Sequence, residues 1–485
     1  MPLPRYVIDA QAPELVAGLA RIREELDVPG PPPAPALAEA EAAAGRVLAG
    51  LDQSIGRERV DARQWELITI DPPGSRDLDQ ALHLERRRGG GCRVRYAIAD
   101  VAAFVVPGGP LDLEVWERGV TFYLPDGRAP LHPPLLGEGA ASLLPDEDRP
   151  ALLWTIELDD AGAVTGEARL ERAVVRSRAQ RTYADVQGAV DAGTASSVEK
   201  LLAEVGPRRQ EIEAARGGVS LDLPTQRVTT DDGGYRLERE HVVPAMGWNA
   251  QLSLLAGMTA GDTMLRAGVG LLRTLPPPHD EVLRTVRRTA RALGVDWPDG
   301  TTYQERVRTL DSDVPEEAAL LLLAARGLRG AGYLALVPGE PPPAGDEARH
   351  AAIAATYAHV TAPLRRLADR YANEVCVALF AGRGVAPEIS ERLPDLPKAM
   401  AKANGREGAV ARAVIDLVEA LLLRSSVGSS LRGTVVATGE GRSTLVLPDP
   451  AVQTEIAQEL PLGEDVEVRV VAADASTRSV VLEPV

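Results

Sequence analysis

The segment Leu67-Ile-Thr-Ile-Asp71-Pro-Pro-Gly-Ser-Arg76-Asp77-Leu-Asp79-Gln80 sets three carboxylates within nine residues. The apolar run Leu67 to Ile70 predicts a short strand that carries Asp71 to its end. Pro72, Pro73 and Gly74 predict a tight turn that brings Asp77 and Asp79 back beside it. Alternate residues of an extended segment share a face, so Asp77 and Asp79 point the same way. Clustered carboxylates raise one another's pKa unless a cation sits among them. Oxygen-only ligands suit a hard ion, Mg²⁺ or Mn²⁺. A solvated acidic turn is the competing reading. An EF-hand fits less well, because its glycine and closing glutamate are not at the required offsets.

A second constellation runs Thr356-Tyr-Ala-His359-Val-Thr361-Ala-Pro363-Leu-Arg365-Arg366-Leu-Ala-Asp369-Arg370-Tyr371. Thr361 is expected as the N-cap and Pro363 in the first turn of a helix over 363–380. Arg365 and Arg366 then lie beside free backbone N–H groups that favour an anion, which is chemistry suited to a phosphate. The alternative is a surface helix start with an Arg365–Asp369 pair at i, i+4. His359 touches either the site or only its own neighbours.

A chain of 485 residues predicts two to four domains. No apolar stretch is long enough for a transmembrane helix, and no signal-peptide pattern opens the chain. Cys92 and Cys376 fit no metal or redox spacing, which predicts a reduced, cytoplasmic protein without a membrane role. Net charge is −17, which opposes non-specific attraction to polyanions. Only Lys200, Lys398 and Lys402 among 53 basic residues are lysines. Any nucleic acid must therefore be met by arginines gathered in a groove. Arg172, Arg176, Arg178 and Arg181 either line such a path or form a solvated strand face. Phosphate-loop, nucleophile-elbow and H-E-x-x-H zinc motifs are absent.

The elements that must position these residues are mixed. Residues 1–60 are expected to be mostly helical, at 13–26 and 36–51 around the stiff Gly30–Pro35 linker, as a helix-turn-helix variant or a capping segment. Residues 61–425 alternate α and β patterns. Strands are expected at Cys92–Ala99 after a Gly89–Gly91 turn and around a hairpin at Asp159–Gly162. Helices are expected at 183–216, 242–264, 280–293, 316–328, 363–380 and 406–424. Residues 426–485 read as short β-branched strands, the pattern of a five-stranded OB barrel. The fold class is α+β, a mixed sheet surrounded by helices with a helical N-terminal segment and a C-terminal barrel.

Taken together, the two constellations resemble signatures of the ribonuclease II/R family, whose catalytic module is called RNB. Between them Ile98-Ala-Asp100-Val101, Pro107-Gly108, Leu111-Asp112, Arg118-Gly119, Tyr123-Leu-Pro-Asp126, Ser142-Leu-Leu-Pro145 and Leu272-Arg273 match in order. The resemblance implies a processive, hydrolytic 3′→5′ exoribonuclease that releases nucleoside 5′-monophosphates. Its substrate would be single-stranded RNA or RNA with a 3′ overhang, and the enzyme a monomer. Asp71, Asp77 and Asp79 fall on the family's metal-binding aspartates, with Mg²⁺ the expected cofactor and Mn²⁺ an alternative. Arg365 falls on the catalytic arginine. Tyr123 and Tyr183 fall on aromatic residues along the RNA path, and Arg366, Gln80 and His359 join the substrate contacts. Gln80 stands where the family has a fourth aspartate, and Pro244 and Ala411 stand where it has acidic residues. Leu367 replaces a tyrosine. The segment 1–60 is too short and too helical for the family's two cold-shock-type barrels, which implies a more open RNA entrance and tolerance of duplex near the 3′ end. The alternative function is an RNA-binding or regulatory protein on a weakened catalytic scaffold.

Overall fold

The strand expected at Leu67–Ile70 forms, with all four residues buried. In the computed structural model it is one stave of a closed barrel. The structure describes residues 13–219, 226–231, 234–239, 242–311, 314–341, 343–439, 441–447 and 452–485, so residues 1–12 of the expected N-terminal segment lie outside the described residues. The barrel strands are β1 (Val60–Asp61), β2 (Leu67–Ile70), β3 (Gln80–Arg86), β4 (Cys92–Ala99), β5 (Asp148–Leu158) and β6 (Arg169–Arg181), in the order β1-β6-β2-β3-β4-β5. β5 pairs back onto β6 and closes the ring. β6 runs parallel to β1 and β2, and the other pairs are antiparallel. Helices cover the outside, so β4 is buried along nearly its whole length and does not alternate. Gly91 closes the β3–β4 turn at φ +73°, where a Cβ would overlap the Leu158 carbonyl.

Helices Pro13–Glu25 and Ala34–Ser54 bury Leu15, Leu19 and Ile22, and Ala36, Ala40 and Ala43, in the same core as the barrel. Residues 13–54 are therefore part of the main body's core. The expected helix over 183–216 is two, Tyr183–Asp191 and Ser197–Ala215, because Ser196 and Glu199 form a capping box that starts a new one. Helices Pro244–Ala267 and Leu396–Leu423 flank the barrel, and a small second core lies between Val219 and Ala324. The C-terminal sheet has the five strands of the expected barrel, with Val452–Ile456 at one edge. Val418, Leu422 and Leu423, at the end of helix Leu396–Leu423, fill the base of its core.

Candidate active site

Asp71 leaves the end of β2 with its N–H donating to the Arg181 carbonyl at 3.0 Å. The chain then turns, and Ser142 holds the turn. Its hydroxyl accepts from Leu78 N–H at 3.0 Å and donates to the Arg76 carbonyl at 2.6 Å. Asp79 enters β3 with its carbonyl accepting from Ala99 N–H at 2.9 Å. Its side chain is buried, and one oxygen accepts from Leu364 N–H at 2.7 Å while the other stands 3.4 Å from Arg365 Nε. The two constellations, 285 residues apart in sequence, meet at this carboxylate.

The segment 360–367 is irregular, and tertiary partners claim nearly every polar group in it. Asn373 donates to the Val360 carbonyl, Ser253 meets the Thr361 hydroxyl, and Asp369 accepts from Ala362 N–H. His132 Nε2 meets the Pro363 carbonyl, Asp79 takes Leu364 N–H, and the Arg365 carbonyl accepts from Thr121 N–H. Leu367 N–H donates to the Gly119 carbonyl. The helix therefore begins at Leu367, with extended Arg366 as its N-cap. Thr361 is not the cap, and Pro363 lies ahead of the first turn. Gly119, at φ +70°, ends helix Pro110–Arg118 where a Cβ would strike Ala403.

The two arginines separate. Arg365 keeps its side chain 46% exposed. Arg366 makes a two-pronged pair with buried Asp369, 2.8 Å at each contact, so the expected Arg365–Asp369 pair is not formed. Tyr123 is 48% exposed, and its hydroxyl donates to Asp77 at 3.1 Å. The other Asp77 oxygen accepts from Arg128 at 2.7 Å. Gln80 Oε1 accepts the hydroxyl of buried Tyr96. His359 Nδ1 lies 2.7 Å from the Tyr333 hydroxyl, between the edges of the Tyr333 and Tyr357 rings. Burial holds its imidazole neutral, far below its ordinary pKa. Tyr183 begins its helix, half-buried, after the Thr182 cap.

Three comparisons with known proteins bear on this geometry. The family model for the RNB domain matches residues 59–380, and that for the RNase II-type exonuclease C-terminal S1 domain matches 429–485. The chain belongs to the RNB family. It is 29% identical over 430 residues to Ribonuclease R of Escherichia coli (strain K12), covering 82% of this chain and 52% of that protein. The chain thus spans about half the length of such curated relatives. The fold is also that of Mycoplasma genitalium RNase R in complex with ribose-methylated single-stranded RNA, with TM-score 0.85, 17% identity, and 98% of this chain and 78% of that one covered. Yeast Ssd1, a pseudonuclease, shares the fold at TM-score 0.68 and 15% identity over 88% of this chain and 53% of that one.

RNB nucleases generally depend on a divalent metal. Burial raises Asp71 to a pKa of about 6 and Asp79 to about 8, and Asp71 Oδ2 is buried with no hydrogen-bond partner. Two desolvated carboxylates with an idle oxygen fit a hard cation. Asp77 lies near enough for its charge to help raise both of them. Among the described residues no three acidic, imidazole or thiol groups converge as a ready metal cage. Arg128, which no sequence pattern singles out, pairs with Asp77 from the hairpin Phe122–Leu124/Gly127–Ala129. Gln80 likewise offers its carbonyl to Tyr96 and not to the cluster. Each arginine of the β6 group has a partner. Arg172 pairs with Asp100 and Glu374, Arg176 with Asp148 and Arg181 with Glu199, and Arg178 donates to the Arg63 carbonyl. Among the described residues no helix is long and apolar enough to cross a membrane.

Proposed function

We propose that the chain is a hydrolytic, processive 3′→5′ exoribonuclease acting on single-stranded RNA and releasing nucleoside 5′-monophosphates. The observation that carries this reading is the meeting of Asp79 with Leu364 and Arg365, which sets a buried carboxylate against an exposed guanidinium at the end of the barrel. Asp71 and Asp79 hold the divalent ion, Mg²⁺ or Mn²⁺. When bound, that ion supplies a more acidic water and charge neutralisation at a phosphodiester. Arg365 faces the scissile phosphate and stabilises its developing charge without transferring a proton. Arg366 keeps the loop fixed through Asp369. Tyr123, held by Asp77, stacks its exposed ring on the terminal base, a contact that any base can make. Tyr183 extends that platform.

A second reading is an RNA-binding protein with a weakened centre, favoured by the neutral Gln80 and its commitment to Tyr96. Incubating 5′-labelled single-stranded RNA with Mg²⁺ separates the two. A ladder shortening from the 3′ end, lost in Asp79→Asn and Arg365→Ala, supports the enzyme. Bound but intact RNA supports the second reading. Digestion into a duplex from a short 3′ overhang is part of this proposal. Stalling well short of the paired region would refute that part. The protein acts as a cytoplasmic monomer, which sedimentation and fractionation would check.

A further inference from the structure

The C-terminal barrel lacks the chemistry by which such barrels hold RNA. Single-strand binding combines a basic groove with aromatic rings on which bases stack. Residues 429–485 contain no Phe, Tyr, Trp, Lys or His, and four arginines face nine carboxylates. Three of those arginines are paired, Arg432 with Asp465, Arg442 with Glu455 and Arg478 with Glu25.

The missing chemistry sits elsewhere, on helix Asp280–Ala292. Arg284, Arg287, Arg288 and Arg291 follow the i, i+3, i+4, i+7 spacing of a single helix face, and all four are exposed, while Val286 and Ala290 fill the core beneath. Arg287 lies 5.5 Å over the half-buried Trp297 ring and donates to the Thr301 carbonyl at 3.2 Å. Arg284, Arg288 and Arg291 have no carboxylate partner among the described residues. At the foot of this face opens a cleft of about 440 Å³ lined by Arg284, Arg287, Trp297 and Tyr303. It adjoins, through Pro277 and Gln304, a second of about 400 Å³ lined by Arg216, Arg308 and Arg349. Arg216 Nη2 is buried there without a partner. Of the two carboxylates in this second cleft, Glu305 caps its helix with Thr302 and Asp346 stands 3.9 Å from Arg349.

The groove adjoins the catalytic loop. Leu275 lines it, and two residues earlier Arg273 lies 4.8 Å from the Tyr333 ring, whose hydroxyl meets His359. Arg349 lines it from a strand that pairs with Thr356, just before that loop. We propose that this arginine–tryptophan groove, and not the C-terminal barrel, holds the single-stranded RNA upstream of the 3′ end engaged at Asp79 and Arg365. The inference rests on the nuclease reading only for that direction.

The test uses the full chain carrying Asp79→Asn. Binding is followed by fluorescence anisotropy across a salt series, with labelled oligoadenylates shorter and longer than the roughly 4–16 nucleotides one single-strand fold covers. The variant Arg284→Gln/Arg287→Gln/Arg288→Gln/Arg291→Gln should bind the long oligomer at least about tenfold more weakly near 0.1 M salt. The slope of log K against log salt should flatten by about 3, at roughly 0.7 per phosphate contact. Binding of the short oligomer should not change, and neither should its hydrolysis when Asp79 is restored. Arg432→Gln/Arg442→Gln/Arg469→Gln should leave the long oligomer unaffected. The four arginines are exposed, and an unchanged melting temperature confirms that the variant folds. Unaltered affinity and slope in the groove variant, or an equal loss in the barrel variant, would overturn the proposal. Groove-dependent binding without shortening of any oligomer by the unmutated chain would keep the groove and reject the nuclease reading. Shortening with an indifferent groove would do the reverse.

Discussion

Gly257→Ala is a single-carbon change that should damage the catalytic loop from behind. Gly257 lies inside helix Pro244–Ala267, and its carbonyl accepts from Ala358 N–H at 3.0 Å. A Cβ there would run into the edge of the Tyr357 ring and come within 2.7 Å of the Ala358 carbonyl oxygen. That is about 0.8 Å short of the ~3.5 Å at which such atoms rest. The ring can turn aside, but the Ala358 carbonyl is backbone, so the chain leading to Arg365 must retreat. Alanine brings about 1 kcal/mol of helix propensity. Overpacking costs about 1–3 kcal/mol, and weakening the Ala358 bond about 1 more. The net is a loss of roughly 1–3 kcal/mol. Displacing a positioning loop by about 1 Å costs up to 10²-fold in rate, so activity should fall more than stability does. Gly405→Ala is the matched control. Gly405 lies inside helix Leu396–Leu423, and a Cβ there meets nothing within 4 Å, so only the propensity gain remains. Urea unfolding and the initial rate of 3′ shortening of labelled RNA would be measured for both. If Gly257→Ala gained stability as Gly405→Ala does and kept its rate, the steric argument would be refuted.

Two further predictions concern stability. Burial drives His132 from its ordinary pKa of 6.5 down to about 3, so the unfolded chain takes up this proton first. Its contribution is complete above pH 6.5 and is lost as pH falls towards 3, roughly 2 kcal/mol by pH 5. His132→Gln should therefore lose less stability than the parent between pH 7 and pH 5 in urea titrations, and an equal loss would contradict the assignment. Buried Asp100 accepts from Arg172 at 2.6 Å and lies 2.7 Å from Arg59. Asp100→Ala leaves buried Arg59 without its carboxylate and Arg172 with Glu374 alone, and should cost about 3–5 kcal/mol of unfolding free energy. A loss under about 1 kcal/mol would mean that solvent reaches the pair.

Local pattern was a sound guide wherever local energy decides the outcome. The apolar run Leu67–Ile70 reads as a strand and is one, because four buried side chains leave it no other use. The helix Asp280–Ala292 was legible to within a residue from its periodicity. Thr361 and Pro363 look like a helix start and are not one. Seven successive backbone or hydroxyl groups between Val360 and Leu367 find better partners on Asn373, Ser253, Asp369, His132, Asp79, Thr121 and Gly119. Five of those partners, Ser253, His132, Asp79, Thr121 and Gly119, lie more than 100 residues away in sequence. The Arg128–Asp77 and Tyr96–Gln80 contacts were hidden for the same reason, since each joins residues 16 or more apart in sequence. Barrel closure itself depends on β6, which pairs with three strands at once. The strand Val452–Ile456 went unseen because only its register against Ser443–Leu447 makes it one.

The net charge of −17 looked hardest to reconcile with an RNA substrate, and a length scale removes the conflict. Spread over 22183 Å² of surface, it is about one net charge per 1,300 Å². Neighbouring net charges are then on the order of 35 Å apart, whereas fields decay over about 8–10 Å at physiological salt. A strand in the groove at Arg284–Arg291 feels the arginines within a Debye length and little of the rest. Slow encounter at low salt is the cost of such a body, because long-range steering follows net charge. Grip is local. It follows that association should speed up as salt rises from about 10 mM towards about 100 mM while dissociation also quickens, opposite to the association-rate trend of a basic nuclease. Stopped-flow mixing with labelled RNA reads both rates, and an association rate that only falls with salt would show that the groove's field reaches further than this argument allows.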